Sequence, residues 1–349
     1  MDRLRREASD LRRLPLLVTE EAVSDMDHVE LDEGYAVPDE RLRLVFTCCH
    51  PALSMESRVA LTLRFVAGLT TPEIARLFLV AEPTTAARLT RAKKKIAAAG
   101  IPFRVPDADD LPDRLAGALA VIYLVFTEGY AATSGDRLLR EELASEAIRL
   151  GRVLGELMPG EPEVTALLAL MVLHHARRRA RIDPAGRLVL LPDQDRDLWR
   201  WDEIGEGLAL LELTARSQAT SPYALQAAIA AEHAKARRAS DTDWPAIADL
   251  YAQLERVTGS AVVRLNRAVA VAEAAGPRAG LALLGDLDEA LPRHHLLPAA
   301  RAELLRRLGR NGEAIVEYGR ALALVGNDVE RAFLLSRRAE LERAGGTDE

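Results

Sequence analysis

Between Pro83 and Arg104 the chain carries six basic residues and no acidic one, although its net charge is −7. Arg88, Arg91, Lys93, Lys94 and Lys95 fall within one stretch, Pro83 to Ile96, together with the small residues Thr84, Ala87 and Thr90. At helical periodicity Thr85, Leu89, Ala92 and Ile96 lie on one side, and Thr84, Ala87, Arg91, Lys94 and Lys95 on the other. The first side must pack. The second presents the positive field that phosphates require, and small residues near the helix start let a backbone enter a major groove. The chemistry this suggests is DNA contact. Arg88, Arg91, Lys93, Lys94 and Lys95 would neutralise phosphates, and Thr84, Ala87 and Thr90 would lie nearer the bases. The plainer alternative is one more helical hairpin with a solvated basic face.

Two shorter elements must hold that helix. Ser57 to Val66 carries Val59, Leu63 and Val66 at helical spacing and is closed by Gly68-Leu69, so it reads as a supporting helix. Thr70-Thr71-Pro72-Glu73 has the pattern of a capping box, with Pro72 in the first turn where its missing donor does little harm. The pattern predicts a short helix from Thr71 to about Phe78 with Ile74, Leu77 and Phe78 pointing inward. Supporting helix, short helix and basic helix follow one another with the spacing of a helix-turn-helix.

Composition sets the frame. The chain has 349 residues, is 49% hydrophobic and 28% charged, and has only 4% aromatics. Length allows two to three domains. The dominance of Ala, Leu, Arg and Glu, without alternating β-branched runs, predicts an all-α fold. No stretch approaches the ~18 uninterrupted apolar residues of a membrane span, and no apolar signal-peptide core is present, so a cytoplasmic location and no membrane partner are expected. The two cysteines, Cys48 and Cys49, are adjacent and precede His50. Neighbouring cysteines are poor joint zinc ligands, and packing as small apolar side chains is the better reading. No metal or other cofactor is expected, and no pairing of acid and base groups suggests an enzyme.

The last third is repetitive. Ser221–Ala236 with Trp244–Val257, Ala261–Ala275 with Pro277–Leu287, and Pro298–Leu308 with Glu313–Val325 read as three helix pairs, closed by a capping helix over Val329–Arg343. Arg267-Ala268 and Arg301-Ala302, like Ala279-Gly280 and Glu313-Ala314, are separated by 34 residues, the tetratricopeptide period. Ala and Gly at the contacts would be core, and the concave surface a groove for a protein or peptide. Between the basic helix and these pairs, residues 107–213 form a helical block. It contains His174-His175 followed by Arg177, Arg178, Arg179 and Arg181, and a compact polar cluster of Asp193-Gln194-Asp195-Arg196 with Trp199 and Trp201. Asp193 and Asp195 lack the further carboxylate and glycine-rich loop of a metal or phosphate site. Helix capping and a salt bridge to Arg178 or Arg181 are expected of them instead.

Ser57 to Ile96 resembles region 4 of RNA polymerase sigma factors of the extracytoplasmic-function type, in the sigma-70 superfamily. Thr70-Thr71-Pro72-Glu73-Ile74-Ala75 is similar to the start of that region's second helix, and Arg88-Leu89-Thr90-Arg91-Ala92-Lys93-Lys94-Lys95-Ile96 to its recognition helix. The resemblance implies that this helix reads the −35 promoter element while preceding helices grip the β-subunit flap of core RNA polymerase. Two positions depart from the family: Leu79 stands where many members have a turn glycine, and Thr90 where some carry an aromatic residue. Met1 to Leu17, with Leu4, Leu11 and Leu14 among arginines, resembles the tail of sigma region 2, most of which is missing. A truncated start is expected there, the alternative being a protein that works without promoter melting. Val18 to Glu40 holds nine acidic residues and no basic one, and reads as an extended linker, solvated or lying in the polymerase RNA-exit path.

Cys48-Cys49-His50-Pro51, Tyr123 to Tyr130, Asp193 to Arg196 and Thr242-Asp243-Trp244 resemble the extension found after region 4 in one sigma group. The expected organisation is thus residues 1–17 as a region 2 remnant, 18–40 as acidic linker, 41–106 as region 4, 107–213 as a helical extension and 214–349 as tetratricopeptide-like repeats. The function implied is promoter recognition with core RNA polymerase, with a regulatory or protein-binding extension. The competing reading is a tetratricopeptide scaffold whose helix-turn-helix is vestigial or contacts protein.

Overall fold

The computed structural model describes residues 40–78, 80–216 and 221–345. The expectations placed on residues 1–17, on the linker up to residue 39 and on the turn at Leu79 lie outside them. The described residues are all-helical, with two isolated bridges, Gly135 to Asn327 and Ile182 to Leu188, and no strand. They form two compact units. One comprises the described residues up to Thr127 together with Glu142–Pro159; the other comprises Glu128–Glu141 and the described residues from Gly160 onward.

The first unit begins with α1 (Glu40–Cys48) and α2 (Met55–Leu61), which continues as a π turn over Thr62–Val66. The supporting helix therefore starts two residues earlier than the apolar pattern suggests, because Ser54 accepts the Ser57 amide at 3.3 Å and caps it. The π turn ends in a chain reversal at Gly68, whose φ of 77° lies in the left-handed region that favours glycine. That reversal lets the Leu69 amide reach the Leu63 carbonyl at 2.9 Å. Next come α3 (Thr71–Leu77) and α4 (Glu82–Ala98). Leu44, Cys48, Leu53, Ala60, Leu61, Leu89, Ala92 and Ile96 close one core among these helices. Most of α5 (Leu111–Tyr130) and nearly all of α6 (Glu141–Leu157) belong to the same unit. Arg114 donates to the Phe46 carbonyl at 2.8 Å, and Arg149 to the Ala67 carbonyl at 3.3 Å, so α5 and α6 satisfy backbone oxygens exposed where α1 and the π turn end.

In the second unit α7 (Pro162–His175) is apolar almost all round and buried, and packs against α8 (Trp201–Arg216). Seven helices follow: α9 (Pro222–Lys235), α10 (Trp244–Thr258), α11 (Ala261–Ala275), α12 (Pro277–Leu283), α13 (Leu296–Arg307), α14 (Asn311–Leu324) and α15 (Asp328–Gly345). Each packs on the next, as helix-pair periodicity requires. Several ends differ from the expected bounds by one or two residues, as where α13 starts at Leu296 instead of Pro298 and α14 at Asn311 instead of Glu313, and α12 differs most, ending at Leu283 instead of Leu287. Gly280 on α12 shows the reason small residues recur at these contacts. A Cβ there would stand 2.5 Å from the Ala268 carbonyl oxygen and 2.6 Å from the Ala272 Cβ.

Candidate nucleic-acid interface

The capping box forms as its residues demand. The Thr70 amide donates to the Glu73 carboxylate at 2.7 Å, and the Glu73 amide donates to Thr70 Oγ1 at 3.4 Å. This fixes the start of α3. Ile74 and Ala75 are buried, whereas Phe78, expected inside, is only half-buried because it lies past the last helical turn; the side chain of Leu77, also expected inside, lies outside the described ones. The Val80 amide bonds back to the Ala75 carbonyl at 2.9 Å and closes the turn into α4.

Helix α4 begins after Ala81, with Pro83 in its first turn, where no intrahelical donor is lost. Its buried residues are Thr85, Leu89, Ala92 and Ile96, the four placed inside by helical periodicity. Thr84, Ala87, Thr90, Arg91, Lys94 and Lys95 are exposed, and Arg88 and Lys93 half-buried. Thr90 Oγ1 turns back to the Ala86 carbonyl at 3.0 Å, and Arg91 Nε lies 3.4 Å from the Ala87 carbonyl. The Lys93 ammonium sits over the Phe65 ring, 5.1 Å from its centroid, so its charge lies beside α2 and apart from Lys94 and Lys95. Across from Arg88, the Glu56 carboxyl is held below its ordinary range by its own backbone amide and Ser54, with the Arg88 charge adding to both. That acid faces the flank of α4 and leaves the Arg91, Lys94 and Lys95 face uniformly positive.

Cys48 and Cys49 are buried free thiols packed in the same unit. Burial pushes Cys49 up to about 11, with Thr62 only partly offsetting it, so both stay protonated and unreactive at neutral pH. Among the described residues no cluster of three or more His, Cys, Asp or Glu side chains is placed to hold a metal, and no helix is long and apolar enough to cross a membrane.

Residues 43–96, the span of α1 to α4 just described, match Sigma-70, region 4. This segment is a sigma-70 region 4 domain. Sigma-70 region 4 is a non-enzymatic transcription-factor domain, and α4 is the last helix of the matched span. Residues 114–215 match the Family of unknown function (DUF6596). An uncharacterized protein of Rhizobium meliloti (strain 1021) is 46% identical to this chain over 339 residues, which cover 96% of this chain and 79% of that protein. The likeness thus runs through region 4, the family of unknown function and the helix pairs alike. No solved structure matches.

The polar cluster of the second unit departs from its expected pairing. Asp195 does cap a short turn, accepting the Asp197 amide at 3.0 Å. Neither Asp193 nor Asp195 reaches Arg178 or Arg181. Arg178 is instead paired with Glu203 at 2.9 Å and Glu141 at 2.6 Å, and Arg181 donates to the Tyr130 carbonyl while its guanidinium lies 3.7 Å from the Tyr130 ring centroid. The physical reason is burial. Glu203 is mostly enclosed and needs a cation, whereas Asp193 and Asp195 are exposed and satisfied by water. Sequence reading missed this network because its members lie on α5, α6, α8 and the turn after α7. The signal available was the run of arginines directly after the apolar α7, too close to buried helix to be entirely solvated.

Proposed function

We propose that this protein is a transcription initiation factor of the extracytoplasmic-function type, which binds core RNA polymerase through the β-subunit flap and the −35 promoter element through α4. The observation that carries the reading is the exposed face of α4 within a matched region 4: Arg91, Lys94 and Lys95 stand in water beside Thr84, Ala87 and Thr90, with no acid among them. Arg88, half-buried, flanks this face and contacts the phosphate backbone, as does Lys93 from its edge. In this reading residues 1–17 are the tail of region 2, 18–40 the acidic linker, 41–106 region 4, 107–213 a helical extension and 214–349 tetratricopeptide-like repeats. The repeats serve as a regulatory or protein-binding surface, and the protein works in the cytoplasm.

A second reading is favoured by the regular stacking of α9 to α15: a scaffold whose binding surface is those helix pairs and whose helix-turn-helix touches protein. One pair of measurements separates them. Core RNA polymerase is retained on the immobilised chain, and a duplex selected from a random pool is bound with an affinity that falls steeply between low and moderate salt. If polymerase is not retained and the selection enriches no sequence, initiation is excluded and the scaffold reading stands.

A further inference from the structure

The second unit encloses two arginines that no carboxylate among the described residues meets at ion-pair distance, Asp241 acting on Arg196 only from further off. Arg177 is 5% exposed and Trp199 3% exposed. The Arg177 guanidinium carbon lies 5.8 Å from the Trp199 ring centroid, and that of Arg196 lies 4.6 Å from it. Arg177 donates to Tyr130 Oη at 3.2 Å and lies 3.1 Å from His174 Nδ1; Arg196 donates to the Ala236 carbonyl at 3.0 Å. Every one of these partners is neutral. Among the described residues neither arginine has a carboxylate within ion-pair distance, in contrast with the neighbouring Arg178, which has two.

Enclosing a guanidinium without a counter-charge is unfavourable, even where its hydrogen bonds are met. Here they are not all met. Arg177 Nε, Trp199 Nε1 and His233 Nδ1 are buried without a hydrogen-bond partner. Three orphaned polar atoms beside two cations that lack an ion-pair partner form a built environment for an anion, since native interiors leave few such groups unsatisfied. The histidines report the same field. Burial and then the charges of Arg177 and Arg196 lower His233 to about 3, and burial with Arg177 and Arg181 lowers His174 well below its ordinary value. Burial would raise the Tyr130 hydroxyl, yet Arg177 and Arg181 bring it below its usual range. Access lies on the Arg196 side, where that residue is half-exposed and the exposed Arg237 covers the Trp201 ring at 3.8 Å.

We propose that Arg177, Arg196, Trp199 and His233 form a binding site for a phosphate group, with Arg237 at its mouth. Two guanidiniums supply more N–H donors and more charge than a single carboxylate would use, and a phosphate dianion takes up both. The site lies outside region 4 and stands or falls independently of promoter binding.

All three tryptophans of the chain, Trp199, Trp201 and Trp244, belong to or adjoin this cluster, Trp244 through edge contact with His233 at 5.2 Å. Intrinsic fluorescence of the full chain therefore reads the site. Titration with inorganic phosphate and with phenyl phosphate, at ionic strength matched with chloride, is expected to give a saturable emission change and a rise in Tm. Tighter binding of inorganic phosphate identifies the free ion as the natural source, and tighter binding of phenyl phosphate a phosphate monoester. Arg196→Gln, at the half-exposed mouth, is expected to weaken binding by at least about tenfold, and Arg177→Met to abolish it; Arg187→Gln, an exposed residue paired with Asp183, leaves it unchanged. Since Arg177→Met removes bonds to Tyr130 and His174, the Arg196→Gln result decides should that variant fail to fold. The proposal is overturned if neither compound gives a saturable change up to about 10 mM, if acetate at the same concentration gives the same change, or if Arg196→Gln binds as tightly as the parent.

Discussion

Arg91, Lys94 and Lys95 on α4 project into water, whereas Arg177 and Arg178, just after α7, are enclosed by helices and rings. The same kind of charge serves two different physical ends. On α4 water solvates each cation fully, so the charges are retained at little cost in stability and stay available to an incoming polyanion. In the second unit each cation has lost that solvation, and its surroundings must replace it. Arg178 has its replacement in Glu203 and Glu141, while Arg177 has only neutral hydrogen-bond partners. A solvated charge is thus informative about what the protein meets, and a buried one about what the fold or a ligand must supply.

The largest test of this contrast is Glu203→Leu. Glu203 accepts from Arg178 at 2.9 Å and lies 2.9 Å from His175 Nδ1, so its loss leaves an enclosed guanidinium with only the exposed Glu141. Removing one partner of such a pair is expected to destabilise the second unit by about 3 kcal/mol, read as a fall in the urea midpoint. The double variant Arg178→Met with Glu203→Leu is expected to recover most of the loss, because no lone charge then remains buried. A double variant no more stable than the single one would break the distinction between paired and unpaired buried charge.

A smaller effect follows from the histidines. His233 and His174 have folded-state pKa values below the ordinary value of about 6.5, because burial and nearby arginines oppose their protonation. The unfolded chain therefore binds more protons than the folded one as pH falls below 6.5. The stabilisation is fully present above that pH and is lost progressively toward about 3, the folded value of His233. Each such histidine contributes a slope of up to about 1.4 kcal/mol per pH unit. Urea midpoints at pH 7.5 and pH 5 are expected to differ in that sense, and His233→Gln to flatten the dependence. Equal midpoints in the parent would show that the second unit lacks the positive field attributed to it.

The two regions also differ in how far they can be read in a sequence. Helix α4 was legible because its information is local: a cap at Thr70 and Glu73, four apolar or small positions at helical spacing, and one-signed charge on the opposite face all fall within 27 residues of one another. The helix pairs of the last third were legible for the same reason, since a 34-residue period and small contact residues repeat along the chain. The exact ends of those helices, α12 above all, were not, being set by packing between neighbours. The arginine cluster was largely illegible. Tyr130, His174, Arg177, Arg196, Trp199 and His233 span about a hundred residues, and no spacing rule connects them. Asp193 and Asp195 drew attention as acids near Arg178 and Arg181 in sequence, yet Glu203, without any motif around it, is the residue that folding brings to Arg178.

The smallest effect on folding is expected on α4, and it carries the functional half of the comparison. Arg91→Ala and Lys94→Ala remove exposed side chains, so each is expected to change stability by less than about 0.5 kcal/mol. Their effect belongs to binding. If Arg91 reaches a base edge, its loss costs about 1–3 kcal/mol on the selected duplex and relaxes preference at one position. Lys94 is expected to act on phosphate alone, weakening every duplex evenly and lowering the salt slope by about one. Anisotropy titrations of both variants at two salt concentrations, alongside their urea midpoints, test the two axes together. Variants that bind as the parent would remove α4 from the DNA interface, and a large loss of stability would mean that these cations are part of the fold after all, as Arg178 is.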